Sequence, residues 1–236
     1  MKKLLAIVLF IPVLLAGCSS DCIKDSGNHI AKGLTVKPFD KIDVSGAIKL
    51  ILKQDSTYGI KIEADSNLME YIKADVSGSE LVLKMKKGSY CGEDSVVIYV
   101  GIGELKELTG AGAVKIATDG HIYAKDVDLN FAGASEVSLN LNAANVTTRI
   151  DGVGKLKLAG QAGSHRLTTT GSAEIDAFNF IAGAYDIHVT GTGKANINVL
   201  NDLKVKTEGS SEIYYKGNPQ NIDENKTGAA KLEKVN

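Results

Sequence analysis

The stretch GASEVSLNLNAANVTTRIDGVGKLKL (133–158) holds one complete repeat and the start of the next. Apolar or small residues occupy every second position on both sides of Gly152, and this alternation continues through the glycine. Such a pattern predicts two strands joined by a bend, because a tight bend favours a residue without a Cβ. The GVGK core therefore predicts a corner of the chain and not a phosphate-binding loop, since Lys155 is followed by strand-like alternation and not by a helix.

The same pattern recurs along the second half of the chain, where seven segments align without gaps. They begin at glycines spaced about 20 residues apart, and each has an apolar residue four positions after its glycine. A unit of this length has one apolar face per strand and can bury that face only against copies of itself. The anchoring glycines, each predicted to form a corner, are Gly110, Gly133, Gly152, Gly171, Gly191, Gly209 and Gly228.

Stacked units of this size predict an all-β fold, a right-handed parallel β-helix (β-solenoid) with coils of about 20 residues. Residues 105–236 are predicted to form the regular repeats. Residues 34–104 are predicted to form a less regular N-terminal β portion, with a hairpin turn at 77–80 and one short helix at 66–72. We interpret 34–236 as one continuous domain, and a separate small β domain at its N-terminal end is the alternative.

Charges of alternating sign recur three positions after the anchoring glycines. Because neighbouring coils would lie about 4.8 Å apart, each glutamate in this column is predicted to lie between two lysines. Exposed ion pairs contribute about 0.2–1 kcal/mol each, so we expect this column to set the register of the coils more than it stabilises them. The residues of this predicted charge ladder are Glu136, Lys155, Glu174, Lys194, Glu212 and Lys231.

The N-terminus carries a signal for export. Two lysines precede an apolar run that is too short to span a membrane, and LAGC (15–18) has the form of a bacterial lipobox. This pattern predicts a lipoprotein signal peptide at 1–17, a lipidated Cys18 held in a membrane, and a location in the cell envelope as an outer-membrane lipoprotein. An ordinary secretory signal with an incidental cysteine is the alternative. Polar residues without periodicity then predict a flexible tether at 18–33.

Cys22 and Cys91 are the other two cysteines of the chain. Oxidation is favoured in an exported protein, so these residues either form a disulfide that ties the tether to the body or stay free in a mobile region. The sequence leaves both alternatives open.

Three tyrosines lie near the C-terminal repeats. Tyr185 and Tyr215 fall at even offsets from their glycines and are predicted to be in the core, whereas Tyr214 points outward. Tyr214 is therefore the candidate for a contact surface.

Motifs between residues 36 and 216 match one known family. The opening F-x-x-I-x-V-x-G corresponds to FDKIDVSG (39–46), a middle pattern to GELKELTGAGAV (103–114), and the repeats to G-x-[GSA]-[KE]-φ. On these residues the sequence resembles the GIN domain, the putative auto-transporter-adhesin head domain of Gram-negative envelope lipoproteins. The resemblance implies a right-handed parallel β-helix, an adhesin-like role and no established catalytic residues.

Composition and motif spacing restrict the function further. A formal net charge of −1 and the lack of a basic run beside aromatic residues argue against nucleic-acid binding. The carboxylates are spread one per coil and the histidines fall at unrelated offsets, so we predict no catalytic residues, no cofactor and no metal site. The predicted protein is non-enzymatic, bound to the membrane by its lipid, and displays flat faces to an extracellular glycan or protein. The alternatives are a polysaccharide-binding or polysaccharide-processing β-helix and a structural envelope component.

Overall fold

The computed structural model describes residues 22–86, 88, 90 and 96–236. The fold is all-β, as predicted, and its sheet curls into a half-barrel. A single 3-10 turn at Met69–Tyr71 falls within the segment predicted as a short helix. The predicted signal peptide, Cys18 and Cys91 lie outside the described residues. In the part of the chain that the structure describes, no helix has the length and apolar character needed to cross a membrane.

The strands run through the corners of the repeats, so β9 contains several complete units. β5 and β6 form the predicted hairpin, in which Ser77 pairs with Glu80. The described strands are β1 (His29–Thr35), β2 (Lys41–Ser45), β3 (Ile48–Gln54), β4 (Gly59–Asp65), β5 (Ile72–Ser77), β6 (Glu80–Met85), β7 (Val96–Ile102), β8 (Glu107–Thr118), β9 (Ile122–Lys216) and β10 (Asn221–Lys234).

The ten described strands belong to one sheet. β8 shows how a repeat is built. Its first half pairs in parallel with β2, beginning at Lys41 and Glu107, and its second half pairs in parallel with β3, beginning at Lys49 and Lys115. The bend between the halves lies at Gly112, whose φ is 91°. β8 and β10 in turn pair in parallel with the start and the end of β9, so the N-terminal strands are continuous with the sheet of the repeats.

Glycine forms the corners because a side chain there would meet the backbone of the preceding repeat. At Gly152 φ is 114°, a conformation that residues with a Cβ rarely adopt, and an added Cβ would lie 2.8 Å from the carbonyl oxygen of Gly133. The GVGK segment is thus the strand, bend and strand that its alternation predicted. The other predicted corners that have positive φ are Gly133, Gly171, Gly191, Gly209 and Gly228.

The corner of the first repeat is Gly112, and the prediction of Gly110 is wrong. Gly112 lies in register with the next corner, whereas Gly110 is buried and pairs with Phe131. Both glycines have the same strand parity, so the alternation of apolar residues could not distinguish them. In the observed register Lys115 lies beside Glu136, and the charge ladder begins one repeat earlier than predicted.

Residues at even positions on either side of the corners form the core, as the parity predicts. Tyr185 is buried and Tyr215 packs against the core, which confirms both predictions. A fully buried aliphatic side chain contributes about 1.5–3 kcal/mol, so stacking holds this fold together far more than surface charge does. The residues four positions after the first six corners, from Gly112 to Gly209, are all buried: Ile116, Val137, Leu156, Ile175, Ala195 and Ile213.

The C-terminal end of the stack carries charges at core positions. In β10, Glu224 and Lys226 lie in register with the buried Val205 and Thr207 of the preceding repeat. Their side chains pair with each other at 2.6 Å between Lys226 Nζ and Glu224 Oε1. An ion pair at core positions closes this end and disfavours end-to-end stacking of a second copy.

The prediction of a flexible tether at 18–33 is wrong for the C-terminal part of that segment, which belongs to strand β1. β1 pairs antiparallel with β4, from His29 opposite Asp65 to Thr35 opposite Gly59. The side chains of β1 are almost all exposed, so the segment lacks the apolar alternation that signals a half-buried strand.

The chain before β1 is also tied to the body. Cys22 is disulfide-bonded, so the alternative of a free thiol at this position is wrong. The next residue, Ile23, forms an isolated parallel bridge with Tyr90.

Candidate binding surface

One broad outward surface follows the corners of the repeats. It extends from each corner glycine to a second bend, where Gly120, Gly160 and Gly217 again have positive φ. We call this surface the ladder face, because the charge ladder runs along its middle. The residue directly after each corner is exposed and small, with one valine among them: Ala113, Ala134, Val153, Ser172, Thr192, Ser210 and Ala229.

The ladder forms ion pairs in its N-terminal half. Lys115 Nζ lies 3.5 Å from Glu136 Oε2, and Lys155 Nζ lies 3.7 Å from Glu174 Oε2. The four side chains are largely exposed to water, which screens the attraction.

The Lys155→Ala variant is expected to unfold with nearly the same free energy as the parent protein. The Lys155 side chain is 71% exposed, so loss of its pair with Glu174 costs well under 1 kcal/mol. Lys155→Glu places glutamates at three consecutive positions of the charge ladder. It is expected to destabilise the protein more than Lys155→Ala does, and this loss of stability should shrink at high salt. Urea denaturation at low and high salt measures the free energy of unfolding of both variants. A large loss in Lys155→Ala would contradict a weak ladder.

A shallow groove of about 300 Å³ lies beside the N-terminal half of the ladder. It is lined by Ala113, Ala134 and Val153 on one side and by ladder residues such as Lys115 and Glu136 on the other. Val153 is 62% exposed. The alternation of apolar residues did not predict this groove, although a valine in a column of small outward residues was a usable signal. Apolar groups next to charges suit a ligand that presents both an apolar surface and hydrogen-bonding groups.

Tyr214 occupies the C-terminal half of the ladder face and points outward, as predicted. Its ring lies between two ladder lysines, with Lys194 Nζ 5.4 Å and Lys231 Nζ 5.2 Å from the ring centroid. Its hydroxyl donates to Glu212 Oε2 at 3.1 Å. Cation–π contacts at exposed sites contribute about 0.5–1 kcal/mol each, so the two lysines favour this orientation of the ring.

A second aromatic residue lies on the same half of the face. Lys216 Nζ lies 4.8 Å from the centroid of the Phe178 ring, and Asn198 Nδ2 donates to the Phe178 carbonyl oxygen at 3.3 Å. Rings, ammonium groups and an amide are thus presented together. Glycans and extended peptides can both use such a set, by stacking on the rings and bonding to the polar groups.

A separate polar groove of about 470 Å³ lies on the outward surface before the corners. Arg166 Nε lies 3.3 Å from Asp186 Oδ2, and Asp202 and Lys204 line the same groove. The sequence pattern indicated dispersed carboxylates, because Asp186 and Asp202 lie on different repeats and at different offsets from their glycines. Two carboxylates beside basic groups in one groove meet part of what the polysaccharide-processing alternative requires.

His165 is a core residue. Its Nε2 shares a hydrogen bond with Thr148 Oγ1 at 2.9 Å, and its ring contacts Phe180 and Tyr185. Burial lowers the pKa of His165 to about 3 and raises the pKa of the Tyr185 hydroxyl. His165 is therefore neutral at pH 7 and has a structural role. Its even offset from Gly171 was a sequence signal for this position.

His121 and His188 make contacts nearer the surface. His188 Nε2 lies 3.7 Å from Glu208 Oε1, and His121 stacks on Tyr123 with ring centroids 6.3 Å apart. Across the described ranges, no group of three or more His, Cys, Asp or Glu side chains is placed to hold a metal ion.

The family described as "Putative auto-transporter adhesin, head GIN domain" matches residues 38–219. The chain belongs to the GIN domain family. The resemblance of its sequence motifs to this family is thereby confirmed. The match extends from just before β2 to just after β9, so it contains the charge ladder from Lys115 to Glu212, whereas Lys231 in β10 lies beyond it. No curated protein matches the sequence.

The GIN domain also resembles several crystal structures. A putative adhesin from Bacteroides fragilis is 23% identical, with a TM-score of 0.84 over 90% of this chain and 100% of that chain. A putative adhesin from Parabacteroides distasonis is 21% identical, with a TM-score of 0.72 over 91% and 100%. A putative lipid binding protein from the same species is 22% identical, with a TM-score of 0.71 over 91% and 99%. At these identities the likeness concerns the fold alone.

Proposed function

We propose that this GIN domain protein is a lipid-anchored, non-enzymatic protein of the outer membrane that binds a surface glycan or protein through its ladder face. Cys18 carries the lipid after removal of residues 1–17. The lipobox supports the anchor, and the adhesin-like family supports the binding role.

The repeats are proposed to follow a right-handed parallel β-helix. Parallel pairing of β8 and β10 with β9 and the contact of each corner glycine with the preceding one support this path. Right-handed connection is the rule for parallel strands joined within one sheet. A β-helix provides a long flat surface without a cleft, which suits a binding protein.

The observation that carries the binding proposal is the cluster around Tyr214. Its ring lies between Lys194 and Lys231 on an outward face, with Phe178 and Lys216 on the same half. Tyrosine is enriched among the residues that dominate binding energy at interfaces. A ring that is already held in place loses little conformational entropy when a ligand binds.

The Tyr214→Ala variant is expected to bind its ligand at least tenfold more weakly, a change of about 1.4 kcal/mol. Tyr123→Ala is the matched control, because Tyr123 is 62% exposed but follows the second bend at Gly120 and lies off the ladder face. Binding is measured against a panel of envelope polysaccharides and matrix proteins. The proposal fails if nothing in the panel binds, or if the two variants weaken binding equally.

We also propose that Cys91 is the disulfide partner of Cys22. The chain has three cysteines, and the lipid would occupy Cys18. The bridge between Ile23 and Tyr90 pairs the residue after Cys22 with the residue before Cys91. A peptide map without reductant that lacks the Cys22–Cys91 pair would contradict this assignment.

The second candidate function is processing of a polysaccharide in the polar groove. The observation in its favour is the presence of Asp186 and Asp202 in one groove with Arg166. This function requires shortening of a polysaccharide by the parent protein and loss of that activity in Asp186→Asn. Binding without shortening would favour the ladder face.

A further inference from the structure

The contacts of the segment before β1 determine how the folded part of the chain, which we call the head, can be oriented on a membrane. Asn67 Nδ2 donates to the Lys24 carbonyl oxygen at 2.7 Å, and Ser66 N donates to the Asn28 carbonyl oxygen at 2.9 Å. These contacts and the bridge between Ile23 and Tyr90 fix the chain to the body from Ile23 onward, and the proposed Cys22–Cys91 disulfide would extend the attachment to Cys22. The predicted tether at 18–33 is therefore much shorter than its sequence suggested.

Asp65 strengthens this attachment. Its carboxylate is fully buried and accepts hydrogen bonds at Oδ2 from Gly27 N at 2.8 Å and from Ser26 Oγ at 3.4 Å. A buried carboxylate is costly unless donors surround it. Release of residues 26–29 from the body would remove these donors, so the segment stays docked.

The connection to the proposed lipid is consequently short. Only Ser19, Ser20 and Asp21 separate Cys18 from Cys22. A fully extended chain spans about 3.3–3.6 Å per residue, so Cys22 lies at most about 14 Å from the lipidated residue. A free tether to residue 33 would instead reach about 50 Å.

The strand order places the two ends of the sheet far apart. The order β1-β4-β7-β3-β8 leads from β1 into the repeats of β9 and ends at β10. Neighbouring strands are about 4.8 Å apart, which puts β10 roughly 50 Å from β1 along the sheet. The short connection leaves from the β1 end.

We propose that the head stands on its N-terminal end at the lipid surface, with the repeats directed away from the bilayer and the Tyr214 cluster near the far end. This inference rests on the lipid anchor of the proposed function. It adds that the short docked connection, and not ligand binding, sets the orientation. The lipid surface is the occupant of the N-terminal end because the chain outside the described residues leads from that end to Cys18.

Single-tryptophan variants test the orientation, since the chain has no tryptophan. Full-length lipidated protein is reconstituted in phosphatidylcholine vesicles that contain dansyl-labelled phosphatidylethanolamine, and energy transfer from tryptophan to dansyl is measured. Tyr71→Trp, in the 3-10 turn beside Tyr90, is expected to give strong transfer. Ile222→Trp, exposed on β10, is expected to show a loss of transfer.

Further measurements distinguish failure of the short connection, of the orientation and of the lipid anchor. Insertion of a flexible Gly/Ser segment between Ser20 and Asp21 is expected to lower transfer in Tyr71→Trp, and no change would overturn the role of the short connection. Equal transfer in the two tryptophan variants on floating vesicles overturns the orientation and leaves the binding function standing. Failure of the protein to float with vesicles overturns the anchor itself, and the orientation with it.

Discussion

Replacement of Gly171 by valine is expected to lower the free energy of unfolding by about 3–5 kcal/mol, a large part of the stability of an ordinary domain. The φ of Gly171 is 109°, which a β-branched residue adopts only with strain. An added Cβ would also lie 2.5 Å from the carbonyl oxygen of Gly152. The corner cannot shift to relieve this contact, because Gly191 lies against its other side.

Ser172→Val is the matched control for Gly171→Val. It adds the same side chain one residue later, at an exposed position on the ladder face, and is expected to change stability by no more than about 0.5 kcal/mol. Urea denaturation of both variants gives the comparison. Equal stability of the two would mean that the corners do not stack as described.

Acid is expected to destabilise the protein through His165. Burial holds the pKa of His165 at about 3, whereas the unfolded chain takes up the proton near pH 6.5. The unfolded state therefore binds more protons between these values, and stability falls by about 1.4 kcal/mol for each pH unit below 6.5. Above pH 6.5 both states are neutral at this residue, and the contribution no longer changes.

A pair of variants isolates this effect. Thr148→Val keeps His165, and Thr148→Val combined with His165→Leu removes it without leaving the Thr148 hydroxyl unpaired. The two variants contain the same carboxylates, so the titration of these groups cancels in the difference between the two free energies of unfolding. Between pH 7.5 and 4.5 the double variant is expected to gain about 2–3 kcal/mol relative to the single variant. An unchanged difference would show that His165 takes up its proton at the same pH in the folded protein as in the unfolded chain.

Much of the core could be predicted from the sequence, because strand parity is a local property. Alternation on both sides of Gly152 assigns Ile150 and Leu156 to the interior, and the same rule places Tyr185 inside and Tyr214 outside. The choice between Gly110 and Gly112 could not be made in this way, since both have the same parity and only φ and cross-strand register distinguish them. β1 escaped prediction because pairing with β4 is made by the backbone and buries few side chains.

The candidate site was only partly predictable, because its contacts join different repeats. The alternation of charge indicated the ladder, and parity selected Tyr214. The insertion of the Tyr214 ring between Lys194 and Lys231 depends on side-chain rotamers, which parity does not determine. The polar groove around Asp186 depends on diagonal neighbours in adjacent coils, which a comparison of equal offsets does not reveal.

The proposal that the ladder face binds a ligand without cleaving it is tested most directly by measuring the retention and the chain length of a polysaccharide together. The full-length protein is incubated with each polysaccharide that it retains, and the polymer is then analysed by size-exclusion chromatography. We predict retention with unchanged polymer length, weakened retention in Tyr214→Ala, and no effect of Asp186→Asn. Shortening of the polymer by the parent protein, abolished in Asp186→Asn, would contradict the account and assign the function to the polar groove.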